Sequence, residues 1–189
     1  MIRILGISGS LRRGSHNTSL LGAAAELLPP GVELHIYDGL RELPPYDADL
    51  DLKPGPPAVA RLREAIASAD GVLIATPEYN GSIPGALKNA LDWASRPFPD
   101  SSLRGKPVAV IGASTGLFGA VWAQAETRKV LGITGADVID HELPVGYAAT
   151  AFDHNGHLME SEHREVLADL VQVLVATAGA EAAPLAQAA

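Results

Sequence analysis

The 189-residue chain contains no cysteine. Disulfide scaffolding, thiolate catalysis and cysteine-held iron–sulfur clusters are therefore excluded. It also has no apolar stretch long enough to cross a membrane. Its start, "MIRILGI", is broken by Arg3 and lacks the basic region, long apolar region and cleavage site of a signal peptide. Positive charge is in deficit, with 14 Lys and Arg against 22 Asp and Glu for a net charge of −8. That balance excludes a general nucleic-acid or acidic-membrane binder but leaves room for a local phosphate site. No internal repeat is present. Together these features predict a soluble, cytoplasmic protein.

What is present fits one ordinary globular domain. Apolar residues make up 47% of the chain and charged residues 19%, and the length allows a substantial core. Four apolar runs, "IRILGI", "VELHIYD", "GVLIATP" and "KPVAVIGAS", predict strands, with a weaker fifth in "GADVIDH". Three are nearly continuous rather than alternating, as in strands covered on both faces. Helical patterns separate them. One runs from Asn17 to Leu28 before "PPG", and others place Val59, Leu62 and Ile66, or Leu87, Ala90, Leu91 and Ala94, at spacings of three and four. Two more follow, over "GAVWAQAETRKVLGI" and "ESEHREVLADLVQVLVATA". The alternation predicts a parallel sheet with helices on both faces, joined by right-handed crossovers. The domain is expected over 1–177, with 178–189 a flexible Ala-rich tail.

In such sheets ligands sit beyond the carboxyl ends of the strands, which singles out loops 8–18, 76–84 and 112–119. The first, "GISGSLRRGSHN", combines hydroxyls at Ser8, Ser10, Ser15 and Thr18 with charge at Arg12 and Arg13. Asn17 or Thr18 is the expected helix cap, at an end that favours an anion. A Walker loop would need a Gly-Lys-Ser/Thr ending, which is missing. A dinucleotide fingerprint would need three glycines where this chain has Gly6, Ser8 and Leu11. A single terminal phosphate fits better, and His16 is expected on the surface.

The second loop, "TPEYNGSIPGALKNALDW", is stiffened by Pro77 and Pro84 and can present backbone groups and Tyr79 to a flat heterocycle. Glu78 can act as a general acid or metal ligand, but no second carboxylate or histidine adjoins it. Asn80 fits a turn former as well as a contact residue. The third loop holds Gly112-Ala113-Ser114-Thr115-Gly116, a match to the G-x-S-x-G of hydrolases that makes a serine hydrolase using Ser114 a rival reading. Its alternative role is a compact backbone loop closing the rim of a cofactor pocket. His154, His157 and His163 raise a metal site, but they lack the HExxH pattern and a polar loop accounts for them equally well.

These three loops, in this order and spacing, resemble the NAD(P)H-dependent FMN reductases, which include quinone, azo and chromate reductases. The combination of S-x-R-x-x-S-x-N with P-E-Y-N-G carries the resemblance. It implies a three-layer flavodoxin-like fold with a five-stranded parallel sheet of order 2-1-3-4-5 and helices on both faces. It implies FMN as cofactor and NADH or NADPH as reductant, no residue being committed to a ribose 2′-phosphate. It places the FMN phosphate on Ser10, Arg12, Ser15, Asn17 and Thr18, with Arg12 rather than Arg13 matching the motif. The ring is placed beside Pro77, Glu78, Tyr79, Asn80 and Gly81, and along Ser114, Thr115 and Gly116. The acceptor is a small molecule such as a quinone, azo dye, flavin or metal oxyanion, and no side chain is assigned as catalytic. A non-enzymatic FMN-binding electron carrier shares the fold and the first loop. The resemblance further implies a homodimer or homotetramer, which Trp93, Phe98 and Trp122 can serve, although core packing is the default for each tryptophan.

Overall fold

The computed structural model describes residues 1–52 and 54–186. Five strand positions form one parallel sheet in the order β2-β1-β3-β4-β5, using β1 (Ile2–Ser8), β2 (Val32–Ile36), β3 (Gly71–Thr76), β4 (Pro107–Ala113) and β5 (Asp137–Val138). A sixth segment, β6 (Pro144–Val145), also pairs with β4, beyond β5 along the same edge. The weak fifth run is thus one strand position interrupted by residues 139–143.

Strand alternation sends Ile4, Leu73, Ala109 and Ile111 to one face and Leu5, Ile7, Val72, Ile74 and Val110 to the other. The first face packs against Leu20, Leu21 and Ala24 of α1 (His16–Glu26) and Leu167, Leu170 and Leu174 of α5 (Ser161–Ala186). The second is covered by α2 (Pro57–Ser68) and α3 (Gly85–Ala94), through Val59, Leu62, Ile66, Leu87 and Leu91, with Leu131 of α4 (Val121–Ile133). Cutting one of these leucines to alanine costs about 2–5 kcal/mol, because the gap collapses only partly. β1, β3 and β4 are covered on both sides as their continuous apolar runs require, whereas the edge strand β2 remains largely exposed.

The two tryptophans separate. Trp93 is fully buried, and its indole N–H donates to the Pro44 carbonyl at 2.8 Å. Trp122 is 52% exposed and stacks edge-on against Phe118, so core packing does not describe it. Phe98 is exposed as well. The expected start of the tail at residue 178 falls inside α5, while 187–189 lie outside the described residues. Among the described residues no helix is long and apolar enough to cross a membrane.

Candidate functional site

The loops leaving β1, β3 and β4 meet around a cavity of about 240 Å³. Ser10, Arg12, Ser15 and Asn17 reach its lining from the first loop, Pro77, Glu78 and Tyr79 from the second, and Ser114 and Thr115 from the third. His16 and Ala113 complete it. Thr18, Asn80, Gly81 and Gly116 lie outside the lining. A cavity of similar size at the opposite end of the sheet, beside Arg3, His35 and Ala69, gathers none of the predicted residues.

In the first loop the helix cap is Ser15, not Asn17 or Thr18. Ser15 has extended backbone, φ −77° and ψ 125°, and its Oγ accepts the N–H groups of Asn17 and Thr18. Only the backbone conformation distinguishes these three cap-forming residues. The Asn17 side chain is buried and bonds Ala113 twice, Nδ2 to the carbonyl and Oδ1 from the N–H, both at 2.9 Å. Thr18 turns to the other side of the loop, where its hydroxyl donates to Ser8 Oγ at 3.0 Å. The guanidinium groups of Arg12 and Arg13 have no hydrogen bond or ion pair among the described residues, and only Arg12 lines the cavity. The backbone N–H groups of Leu11, Arg13, Gly14 and Ser15 likewise have no protein acceptor there. Arg41 steadies this loop from outside, donating to the Leu11 carbonyl at 2.5 Å.

His16 was expected on the surface but lines the cavity and stacks in parallel on Phe152, with ring centroids 6.1 Å apart. Burial and the adjacent Arg12 charge lower its pKa, which favours the neutral imidazole. Nothing in the sequence near residue 16 signals Phe152, which arrives 136 positions later.

The second loop is closed by a tight turn and tied to α4. Asn80 and Gly81 both have positive φ, 55° and 73°, and Tyr79 and Ser82 exchange backbone hydrogen bonds at 3.2 Å. This is the two-residue turn that Asn-Gly favours, and Asn80 is its turn former. Glu78 reaches α4 instead of forming an acid–base pair. The residue before α4, Ala120, has a left-handed backbone and no capping side chain, and Glu78 Oε2 accepts the Ala123 N–H at 3.0 Å in its place. Glu126 of α4 returns the contact, with Oε2 accepting Ser82 Oγ–H at 2.6 Å and Ile83 N–H at 3.2 Å. These bonds, the Ser82 hydroxyl first, lower the Glu126 pKa.

The third loop is held by backbone. Ser114 donates its N–H to Val145 and accepts from Ala148 at its carbonyl, both at 3.0 Å, while Tyr147 N–H bonds the Gly116 carbonyl. Gly119, at φ 56°, sits where an added Cβ would lie 2.3 Å from Pro144. Buried Gln124 ties this region together, donating to the Gly119 carbonyl and accepting the Leu143 N–H. Ser114 Oγ accepts the Gly116 N–H at 3.1 Å and bonds no histidine among the described residues, so a hydrolase triad is not assembled.

The histidines near α5 serve a surface cluster. His157 lies between Asp153, 3.1 Å from Nδ1, and Glu26, 3.4 Å from Nε2. His163 neighbours Glu160. Among the described residues no group of three or more histidine or acidic side chains is placed to hold a metal ion.

The donor set of the main cavity suits a phosphate monoester. It offers one unpartnered guanidinium, hydroxyls and free amides at a helix start. The one carboxylate on the lining among the described residues, Glu78, is already engaged by α4. Residues 2–150 match the model of the NADPH-dependent FMN reductases. The chain belongs to that family. As a family member it is an enzyme that uses FMN and takes its electrons from NAD(P)H. This FMN reductase is 44% identical to an NAD(P)H-dependent FMN reductase of Pseudomonas aeruginosa, over 92% of this chain and 93% of that one. It is 41% identical to a 2-hydroxy-1,4-benzoquinone reductase of a Burkholderia species, over 88% and 90%. The flavoenzyme NAD(P)H:(acceptor) oxidoreductase of Paracoccus denitrificans superposes with a TM-score of 0.82 at 35% identity, covering 95% of this chain and 98% of that one.

Proposed function

We propose that this FMN reductase passes electrons to a quinone-type acceptor at the cavity between the three loops. The carrying observation is the Arg12 guanidinium on the lining, without a partner among the described residues, beside similarly free amides at the start of α1. In this reading Ser10, Arg12 and Ser15 hold the FMN phosphate, while Asn17 and Thr18 act through their own partners, Ala113 and Ser8. Pro77, Glu78 and Tyr79, supported by the Asn80–Gly81 turn, border the ring. Ser114 and Thr115 close the rim, supported by Gly116. FMN held by these residues would supply the hydride-transfer chemistry. The residues bind, orient and hold a fixed wall; none is needed as an acid or base.

The quinone assignment draws on the Burkholderia relative and on the 41% identity to an Escherichia coli quinone reductase over 74% of each chain. We place the protein in the cytoplasm, where reduced nicotinamides are generated, and assign it a homodimer or homotetramer. The exposed Phe118–Trp122 pair and Phe98 support association, whereas buried Trp93 takes no part. The deciding assay mixes purified holoprotein with NADH or NADPH and 1,4-benzoquinone. Many turnovers of nicotinamide per flavin are expected. Flavin bleaching without turnover would identify an electron carrier and overturn the proposal. Sedimentation of the same sample reads the oligomer.

A further inference from the structure

Asn17 lies 96 residues from Ala113 in sequence, yet its amide pairs with both backbone groups of that residue. Ala113 is the last residue of β4. Its neighbours Gly112 and Ser114 donate their N–H groups to Leu143 and Val145, on the β6 side. Backbone groups alternate in direction along a strand, so those of Ala113 face the other edge, towards β3. But β3 ends at Thr76, whose register partner is Gly112. No β3 residue is in register with Ala113, and the Asn17 side chain offers that residue the donor and acceptor of a peptide unit.

The two ends of this pairing belong to different parts of the site. Asn17 lies in the first turn of α1, two residues after the capping Ser15, with its own N–H bonded to Ser15 Oγ at 3.2 Å. Ala113 leads straight into Ser114 and Thr115, which line the cavity from the third loop. The bond is buried, so water does not compete for it, and removing one partner strands polar groups of the other.

We infer that Asn17 is a positioning residue that couples the phosphate loop to the loop beside the ring. Ordering either loop then orders the other through a single rigid joint, so a ligand at one side meets a partner already fixed. The inference rests on the FMN reading above, and its test separates the two.

The test divides the cofactor into halves and uses apoprotein. Riboflavin binding is measured by fluorescence quenching with and without saturating inorganic phosphate, alongside FMN binding. In the wild type, phosphate should tighten riboflavin by roughly 5-fold or more, within the usual range of coupling between sites. In Asn17→Ala that ratio should fall to about 1 while FMN and riboflavin both weaken. If Asn17→Ala folds poorly, Asn17→Asp keeps an acceptor for the Ala113 N–H but sets a carboxylate against its carbonyl, and should lower the ratio as well. A wild-type ratio of 1 overturns the coupling. So does an unchanged ratio in the variants, whether FMN alone weakens, as for a direct phosphate ligand, or both flavins weaken equally, as for general loosening. Failure of the wild type to bind FMN would instead overturn the cofactor reading itself.

Discussion

The first and second loops are both polar, both follow a central strand and both line the same cavity, yet they handle their polar groups in opposite ways. In loop 76–84 the groups that meet α4 are partnered within the protein: Glu78 accepts from Ala123, Ser82 donates to Glu126, and Tyr79 and Ser82 close the Asn80–Gly81 turn. In loop 8–18 the Arg12 guanidinium and several amides have none among the described residues. In the proposed reading the ties to α4 finish the second loop, while an anion finishes the first. Substituting Arg12 should therefore change cofactor affinity with little effect on stability, and substituting Glu78 or Gly81 should chiefly change stability.

The largest expected effect tests the unfinished loop. Arg12→Ala removes a charge-assisted contact of about 1.5–3 kcal/mol, which corresponds to FMN dissociation weakened by about 10–100-fold. Arg13→Ala, outside the cavity lining, should stay within about 2-fold of wild type. Riboflavin titration should be insensitive to both, since it carries no phosphate. Equal FMN dissociation constants for the two variants would erase the distinction between the arginines.

Gly81→Ala tests the finished loop. An added Cβ meets nothing within 4 Å, so its cost is the left-handed backbone alone, about 1–2 kcal/mol. The apoprotein melting temperature should fall, and FMN and riboflavin should weaken by the same factor. Glu78→Ala should cost about 1 kcal/mol by uncapping α4. Glu78→Gln, which keeps an acceptor for Ala123, should recover most of it in the same melt.

The smallest effect belongs to the exposed Asp153–His157–Glu26 cluster, away from both loops. His157 N–H bonding and the imidazole hold the Asp153 pKa down to about 2, and the Asp153 bond followed by the Glu26 charge raises that of His157. A depressed carboxyl stabilises above its ordinary value of 3.8, and that contribution is lost as pH falls towards 2. A raised imidazole stabilises below 6.5 and loses its contribution as pH climbs through the raised value. His157→Ala should therefore flatten the alkaline side of a melting-temperature profile and leave FMN affinity unchanged. An unaltered alkaline slope would show that the cluster contributes nothing.

The features legible in the sequence are those set by neighbouring residues. Strand and helix positions follow from local periodicity, and the Asn80–Gly81 turn from two adjacent letters. The sheet order came with the family resemblance carried by the first two loops. What stayed hidden depends on partners far along the chain. Glu78 reads as a candidate acid until α4 is seen to begin at a residue that cannot cap it. Asn17 reads only as a ligand until its side chain is seen bonded to Ala113, 96 positions away. His16 reads as surface until Phe152 stacks on it. Ser15, Asn17 and Thr18 are all good caps, and only the extended backbone at Ser15 selects among them.

The interrupted fifth strand has a consequence for engineering. Ile139 N–H is fixed to the Val108 carbonyl on one side of the break, while Gln124 and Gly112 fix Leu143 on the other. Residues 140–142 between these anchors are exposed, and their principal tie is the Glu142–Arg128 ion pair. Register on each side is thus secured separately. A guest peptide grafted at 140–142 would leave both halves of the sheet edge in place, making this bulge the natural splice point for a tag or fused domain.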